Sequence, residues 1–299
     1  MNADVPGSVF RRILIACDFS PCSEVLIPYA ASLARKCKAT LLLAHVASPE
    51  VINVEPPVVL PQLKSANEQM QELELSEQLD GVDHAVLVSE GLPAEALLKL
   101  ASDNEVDLIM MGTHGRTGFR KLIMGSVAEK VFRNAPCPVM TVGPHVFAEN
   151  RREAHITSIL CAIGALDRQH PAIQTAATIS ACHNASLALL HVVPAQMASS
   201  VAQDTAVLRS QLLELAPHNL QQQAPIEALV EVGTPSDLIV RIAVERVVDL
   251  IVLDALPPAM LTAHLMDTAY RVIVDAPCPV VTVLVTAKDR PTRATSSAL

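Results

Sequence analysis

The sequence predicts an α/β protein of two tandem doubly wound domains, each a five-stranded parallel sheet flanked by helices. One reason is an internal repeat, in which the second half of the 299-residue chain follows the order of the first. Another is the alternation of short apolar runs with helical patterns, which is typical of parallel strands joined by crossover helices. The composition agrees, because 51% of residues are hydrophobic and only 2% aromatic, as in aliphatic sheets covered on both faces.

Five short segments of the first half return in the same order in the second. The segments 13–16, 41–46, 91–93, 106–109 and 135–139 match 159–162, 187–192, 233–235, 248–251 and 276–280. Their separation stays within 141 to 146 residues, which indicates a duplicated domain. The predicted domains are residues 8–144 and 155–286, with a linker at 144–155 and a C-terminal tail at 287–299.

Apolar runs and helix signals place the elements of each half. The predicted strands are 13–17, 40–46, 84–89, 106–111 and 138–143, then 157–163, 186–193, 226–232, 248–254 and 279–285. In the first half a helix is expected to begin after Ser20 as N-cap, with Pro21 in its first turn and a bend at Pro28. Further helices are expected at about 62–80, 93–104 and 125–134, and the proline-rich segment 51–62 is expected to be a loop.

A glycine-rich segment follows the fourth predicted strand and ends where a helix is expected to begin. Four of the ten glycines lie in it, at positions 112, 115, 118 and 125. In an open α/β sheet, ligands bind beyond the carboxyl ends of the strands, and a helix amino terminus there offers N–H groups to a phosphate. The charged residues between 112 and 126 are Arg116, Arg120 and Lys121, which favours an anion. The alternative is a flexible loop whose cations are merely solvated.

The spacing Gly112-x-x-Gly115, nine residues, then Gly125-Ser126 resembles the G-2x-G-9x-G-(S/T) signature of ATP-binding universal stress proteins. The likeness covers the whole domain, including Asp18 after the first strand and the closing segment 136–142. It implies a universal stress protein or adenine nucleotide alpha hydrolase-like fold and ATP as the ligand. Mg²⁺ on the phosphates is compatible with this, although no carboxylate cluster for it is visible in the sequence.

The resemblance also implies a set of nucleotide-binding residues. They are Ala16, Asp18, Val46, Met111, Gly112, His114, Gly115, Arg116, Gly125, Ser126 and Val127. Asp18 is expected to contact the adenosine part of the ligand and Gly112 the ribose, while Ala16 and Val46 line the adenine pocket. The phosphates are expected to bind the backbone N–H groups of Gly115, Gly125, Ser126 and Val127, with the Ser126 hydroxyl as a further donor.

Several of these residues have structural alternatives. Asp18 could cap the following helix, Val46 could be plain core, and His114 could be an ordinary loop residue. Arg116 could reach the phosphates or only be solvated.

The second copy has lost these features. When the two halves are aligned, Gly164 occupies the position of Asp18, and Met266-Asp267 replaces Gly125-Ser126. The segment 254–268 contains two acids and two prolines but no glycine, Lys or Arg. We therefore expect nucleotide binding in the first domain only, with the second acting as scaffold, pseudo-dimer partner or regulator.

Charge and composition exclude several other classes. A net charge of −9 and a pI near 5.5 argue against nucleic-acid binding. No apolar run reaches the roughly 18 residues of a membrane span, and residues 1–12 lack the apolar stretch of a signal peptide. The seven cysteines form no CxxC pair, so we expect reduced, buried thiols in a cytoplasmic protein.

We therefore expect a cytoplasmic ATP-binding stress-response sensor or regulator. The main alternative is a slow ATPase or nucleotidyl-transfer enzyme on the same fold, for which His114 and Asp18 are the candidate catalytic groups. A third hypothesis is a pure interaction module without a ligand. Universal stress protein domains pair through their last strands, which implies a pseudo-dimer within the chain, a possible homodimer of chains and an unidentified protein partner.

Overall fold

The computed structural model describes residues 10–47, 65–115, 124–146, 154–164, 166, 170–197, 205–217, 226–255 and 263–285. The chain divides into two compact units, and each is a parallel sheet flanked by helices, which confirms the predicted fold class. The predicted loop 51–62 and tail 287–299 lie outside the described residues.

The first unit alternates strands and helices along the chain. Its elements are β1 (Arg12–Ala16), α1 (Pro21–Cys37), β2 (Thr40–Ala47), α2 (Ala66–Glu74), β3 (His84–Glu90), α3 (Pro93–Asp103), β4 (Leu108–Gly112), α4 (Ser126–Asn134) and β5 (Val139–Val142). A 3₁₀ turn at Glu77–Leu79 replaces the end of the long helix expected at 62–80. The strand order is β3-β2-β1-β4-β5, with all neighbours parallel.

The second unit repeats this plan. Its elements are β6 (Ser158–Ile163), α5 (Pro171–His183), β7 (Ser186–Val193), α6 (Thr205–Glu214), β8 (Ile226–Val232), α7 (Pro235–Glu245), β9 (Leu250–Ala255), α8 (Ala263–Asp275) and β10 (Val280–Leu284). The order β10-β9-β6-β7-β8 is the same arrangement. Every predicted strand is present within two residues of its expected bounds. The central strands are apolar runs buried on both faces, whereas β3 and β8 alternate between more and less exposed residues.

The connections create a crevice in the first unit. From β1 the chain continues to β2 and β3 on one side, whereas β4 and β5 lie on the other. The connection after β1 runs to one side of the sheet and the connection after β4 to the other, so the carboxyl ends of these two strands mark the topological switch point where ligands bind in such sheets.

The helix α1 begins as its sequence signals predict. The Ser20 hydroxyl accepts the backbone N–H of Ser23, and Pro21 occupies the first turn. The helix continues through Pro28 to Cys37.

None of the helices in the described ranges combines the length and apolarity that a membrane crossing requires.

One repeated motif has a structural explanation. Asp107 Oδ2 accepts the backbone N–H groups of Arg11 and Arg12 at 2.7 and 2.9 Å. Asp249 Oδ2 does the same for Thr157 and Ser158 at 2.8 and 3.1 Å. Each carboxylate ties the start of the central strand to the neighbouring strand. These acids lie at the amino ends of the strands, away from the crevice.

Candidate functional site

The structure brings Asp18 and Gly115 together, although 97 residues separate them in the sequence. A Cβ atom placed on Gly115 would lie 3.1 Å from Asp18 Oδ2. The loop after β1 and the loop after β4 therefore meet at the crevice, with glycine leaving space beside the carboxylate. This is the arrangement expected if both residues belong to one site.

The Asp18 carboxylate also shapes the turn into α1. Its Oδ1 accepts the backbone N–H of Ser20 at 3.0 Å, and Phe19 between them has a positive φ of 58°. A positive φ is unfavourable for a bulky residue, so the surrounding contacts must hold this turn in place. Asp18 is thus not the N-cap, which is Ser20, but it does have a structural role.

A histidine clamps the same turn in both units. In the first unit His45 Nδ1 contacts the Cys17 carbonyl oxygen at 2.7 Å, and its ring lies 4.9 Å from that of Phe19. In the second unit His191 Nδ1 contacts the Ile163 carbonyl oxygen at 3.0 Å. The histidine at this strand end therefore recurs in both halves with the same structural role, a hydrogen bond to the carbonyl oxygen of the neighbouring strand.

The residues expected to line an adenine pocket lie at neighbouring strand ends. Ala16 is the last residue of β1, and Val46 lies near the end of β2. Both are half-buried, unlike the fully buried Leu43 on the same strand as Val46. Their position and partial exposure are compatible with the expected contacts.

Gly112 is required by packing. A Cβ atom there would lie 2.7 Å from Cys22 Cβ on α1, too close for any side chain to be added without moving the helix. The preceding residue, Met111, is buried in the core. The structure therefore gives both residues a packing role.

Thr113, which the sequence analysis did not single out, is the hydrogen-bonding centre of the loop. Its backbone N–H and its hydroxyl both donate to the Val142 carbonyl oxygen, at 3.0 and 3.1 Å. The hydroxyl also lies 2.8 Å from His114 Nδ1. Both Thr113 and His114 are buried, and the hydrogen bond with Thr113 gives His114 a structural role. A hydroxyl residue directly after a buried strand was the available sequence signal.

The Gly125 N–H, expected to bind a phosphate, has a partner within the chain. That N–H donates to the Thr113 carbonyl oxygen at 2.8 Å, closing the loop back onto β4. Gly125 is the N-cap of α4 and provides no side-chain cap. The first N–H groups of a helix have no partner within it, so Ser126 and Val127 remain the donors at this helix end.

Arg116, Gly118, Arg120 and Lys121 lie outside the described residues. Within the described ranges, no group of three or more His, Cys, Asp or Glu side chains is arranged to hold a metal ion.

The thiols near the crevice are held in their protonated form. Burial raises the pKa of Cys17 to about 12, and the charge of Asp18 adds to this shift. Burial also raises the pKa of Cys22, with a smaller contribution from Asp18 and an opposing hydrogen bond with the backbone of His114. Because the thiolate is the nucleophilic form, neither cysteine is activated at neutral pH.

The equivalent position in the second unit is built differently. Asp254, at the carboxyl end of β9, stands where β4 has Gly112. Its two carboxylate oxygens contact His170 Nδ1 at 2.5 Å and the Ala172 N–H at 3.1 Å. The side chains of Met266 and Asp267 lie outside the described residues.

Comparison with known proteins identifies the family. The model of the universal stress protein family matches residues 10–143 and 155–283. This chain belongs to the universal stress protein family. It carries two tandem domains of that family.

Two relatives in the family each cover a little under half of this chain. A universal stress protein of Methanocaldococcus jannaschii is 30% identical over 146 residues, covering 45% of this chain and 83% of the relative. One from Thermus aquaticus is 34% identical over 136 residues, covering 45% of this chain and 99% of the relative. Among solved structures, a universal stress protein of Archaeoglobus fulgidus gives a TM-score of 0.66 at 19% identity, covering 91% of this chain and 98% of that one. The last comparison supports the fold of the whole chain.

Proposed function

We propose that this chain is an ATP-binding regulator of a cytoplasmic stress response, with one nucleotide site per chain, in the first unit. The proposal rests on the proximity of Asp18 and Gly115 at the switch point between β1 and β4. A carboxylate there can accept a hydrogen bond from the adenosine part of a nucleotide. The glycine allows the ligand to approach the backbone.

The amino end of α4 supplies the phosphate part of the proposed site. Gly125 carries no side chain over the helix end, so the N–H groups of Ser126 and Val127 are not covered by a capping side chain. These donors and the helix dipole favour a negatively charged group. The Thr113–Gly125 bond holds the helix end beside the crevice. A Mg²⁺ ion could enter with the phosphates and keep most of its water ligands, so no protein residue is assigned to it.

The chemistry around the site favours binding and regulation over catalysis. His114 Nδ1 is engaged by the Thr113 hydroxyl, and the Cys17 and Cys22 thiols have raised pKa values. A ligand that binds one loop conformation more tightly than another shifts the population toward it. Nucleotide binding would in this way change the surface offered to a partner protein.

Calorimetry on the full chain tests the proposal. We expect ATP to bind with a stoichiometry of one, and ADP to compete with it. A stoichiometry of two would refute the restriction to the first unit, and the absence of adenine-nucleotide binding would refute the function. Turnover of ATP at rates typical of enzymes, about 10 per second, would favour the enzymatic alternative.

A matched pair of variants locates the site. Gly115→Val places a branched side chain against Asp18 and should abolish most of the binding. Gly164→Val is the control, because a Cβ atom on Gly164 has no atom within 4 Å. Equal losses in both variants would show that the site is not at Gly115.

A further inference from the structure

The second unit carries a carboxylate where the first unit has its tightest glycine. The repeat aligns Asp254 with Gly112, since both lie three residues after the matching Val-Asp-Leu-Ile segments. The helices α1 and α5 both begin at a proline, Pro21 and Pro171. Ala172 and Cys22 are each the second residue of their helix, and Cys22 is the residue that leaves no room for a side chain at Gly112.

The Asp254 side chain is held at both of its oxygens. Oδ1 accepts the backbone N–H of Ala172 in the first turn of α5 at 3.1 Å. Oδ2 lies 2.5 Å from His170 Nδ1. Because a carboxylate only accepts hydrogen bonds, the proton between them is placed on Nδ1. A helix amino end and an imidazole N–H thus converge on one carboxylate, as they would on a bound anion.

The imidazole of His170 makes no second hydrogen bond with the residues that the structure describes. Its side chain is 0% exposed and that of Asp254 is 5% exposed. Among the described residues, His170 Nε2 is a buried atom without a hydrogen-bond partner. A buried polar atom without a partner is unfavourable. The bond from Nδ1 to the carboxylate is therefore the interaction that explains an imidazole at this position.

We propose that the amino end of α5 and His170 form a carboxylate-binding site, and that Asp254 is its resident ligand. The ligand class is a small carboxylate, which takes the place of the Asp254 side chain when that side chain is removed. The second unit would then hold an occupied crevice without a nucleotide. This consequence rests on the proposed function of the first unit, whereas the carboxylate site itself does not.

Chemical rescue of the full chain tests the site. Asp254→Gly copies Gly112 and should lower the melting temperature by several degrees in sodium chloride. Sodium formate at equal ionic strength should restore most of this loss in a saturable way and leave the parent unchanged. The double variant His170→Ala/Asp254→Gly should not be rescued. A single variant without formate-specific recovery, or a double variant that recovers equally, overturns the proposal.

Asp249→Gly is the matched control. Asp249 also accepts hydrogen bonds, from the backbone N–H groups of Thr157 and Ser158 and the Thr157 hydroxyl, but at the start of a strand. Its loss should lower the melting temperature without formate rescue. Rescue of this variant to the same extent would mean that formate acts on the whole chain, and it would overturn the proposal.

A spectroscopic measurement covers the case in which Asp254→Gly does not fold. The ¹⁵N shifts of His170 should show a proton on Nδ1 in the parent. In Asp254→Asn, Oδ1 can still accept from Ala172, so the amide NH₂ should face Nδ1 and move the ring proton to Nε2. A parent His170 protonated on Nε2 alone would overturn the proposal. None of these measurements involves a nucleotide, so their failure is distinct from failure of the proposed function.

Discussion

The carbonyl oxygen of Thr113 accepts the backbone N–H of Gly125 at 2.8 Å, which ties the start of α4 to the end of β4. A Cβ atom on Gly125 would lie 3.2 Å from that same oxygen. The φ of Gly125 is −65°, which any residue can adopt. Glycine is therefore favoured here by the close approach of the loop and not by backbone conformation.

Gly125→Ala should weaken nucleotide binding by moving this helix end. The added methyl group must displace the Thr113 carbonyl oxygen, and such overpacking typically costs about 1–3 kcal/mol. We expect a reduced melting temperature and lower ATP affinity, measured by calorimetry. Gly125→Met, the change suggested by Met266 in the second copy, adds a longer side chain at the same tight contact and is less specific. Gly164→Ala is the control, and unchanged ATP affinity in Gly125→Ala would contradict the assignment.

Asp18→Asn separates the charge of this residue from its role in the turn. Asparagine keeps an Oδ1 acceptor for the Ser20 N–H, so the melting temperature should stay close to that of the parent. ATP affinity should fall about tenfold or more, because a hydrogen bond to a charged group contributes about 1.5–3 kcal/mol. Asp18→Ala should lose both affinity and stability. An Asp18→Asn variant with full affinity would remove Asp18 from the site.

The paired histidines allow binding and stability to be compared between the units. His45→Phe and His191→Phe each keep a ring but leave a strand-end carbonyl oxygen without its partner. Each should lower the free energy of unfolding by about 1–3 kcal/mol, measured by urea denaturation. We expect only His45→Phe to weaken ATP binding, because the Cys17 carbonyl precedes Asp18. An equal loss of ATP affinity in His191→Phe would mean that the effect comes from general destabilisation of the chain.

Stability should fall at alkaline pH because of the buried thiols. Burial raises the pKa of Cys17, and that of Cys137, to about 12, from an ordinary value of 9.0. Between these values the unfolded chain loses thiol protons that the folded chain keeps. The free energy of unfolding therefore decreases as pH rises, by at most about 1.4 kcal/mol per pH unit for each thiol.

Urea denaturation at several pH values between about 8 and 11 measures this effect. Cys17→Ala should show a shallower decrease than the parent, since one of the thiols is removed. Lysines and tyrosines titrate in the same range but contribute to both proteins. Identical slopes would mean that Cys17 ionises as easily in the folded chain as in the unfolded one.

The sequence by itself determined the strands and the fold class of both units. Runs such as 13–17 and 41–44 are apolar on both faces, and burial of both faces is what a parallel sheet between helices provides. Ser20 and Pro21 similarly determined the start of α1, because capping depends on a few neighbouring residues. The duplication made each half a check on the other.

Only the tertiary structure decided which groups of the candidate site meet and which are already engaged. It brought Asp18 to Gly115, assigned the Gly125 N–H to Thr113, and placed the Asp254 carboxylate against α5. Periodicity reports burial and local signals report turns, but neither specifies the partner of a hydrogen bond between residues distant in the chain. That partner depends on the packing of whole elements to within a fraction of an ångström, and so it follows from the assembled sheet and helices alone.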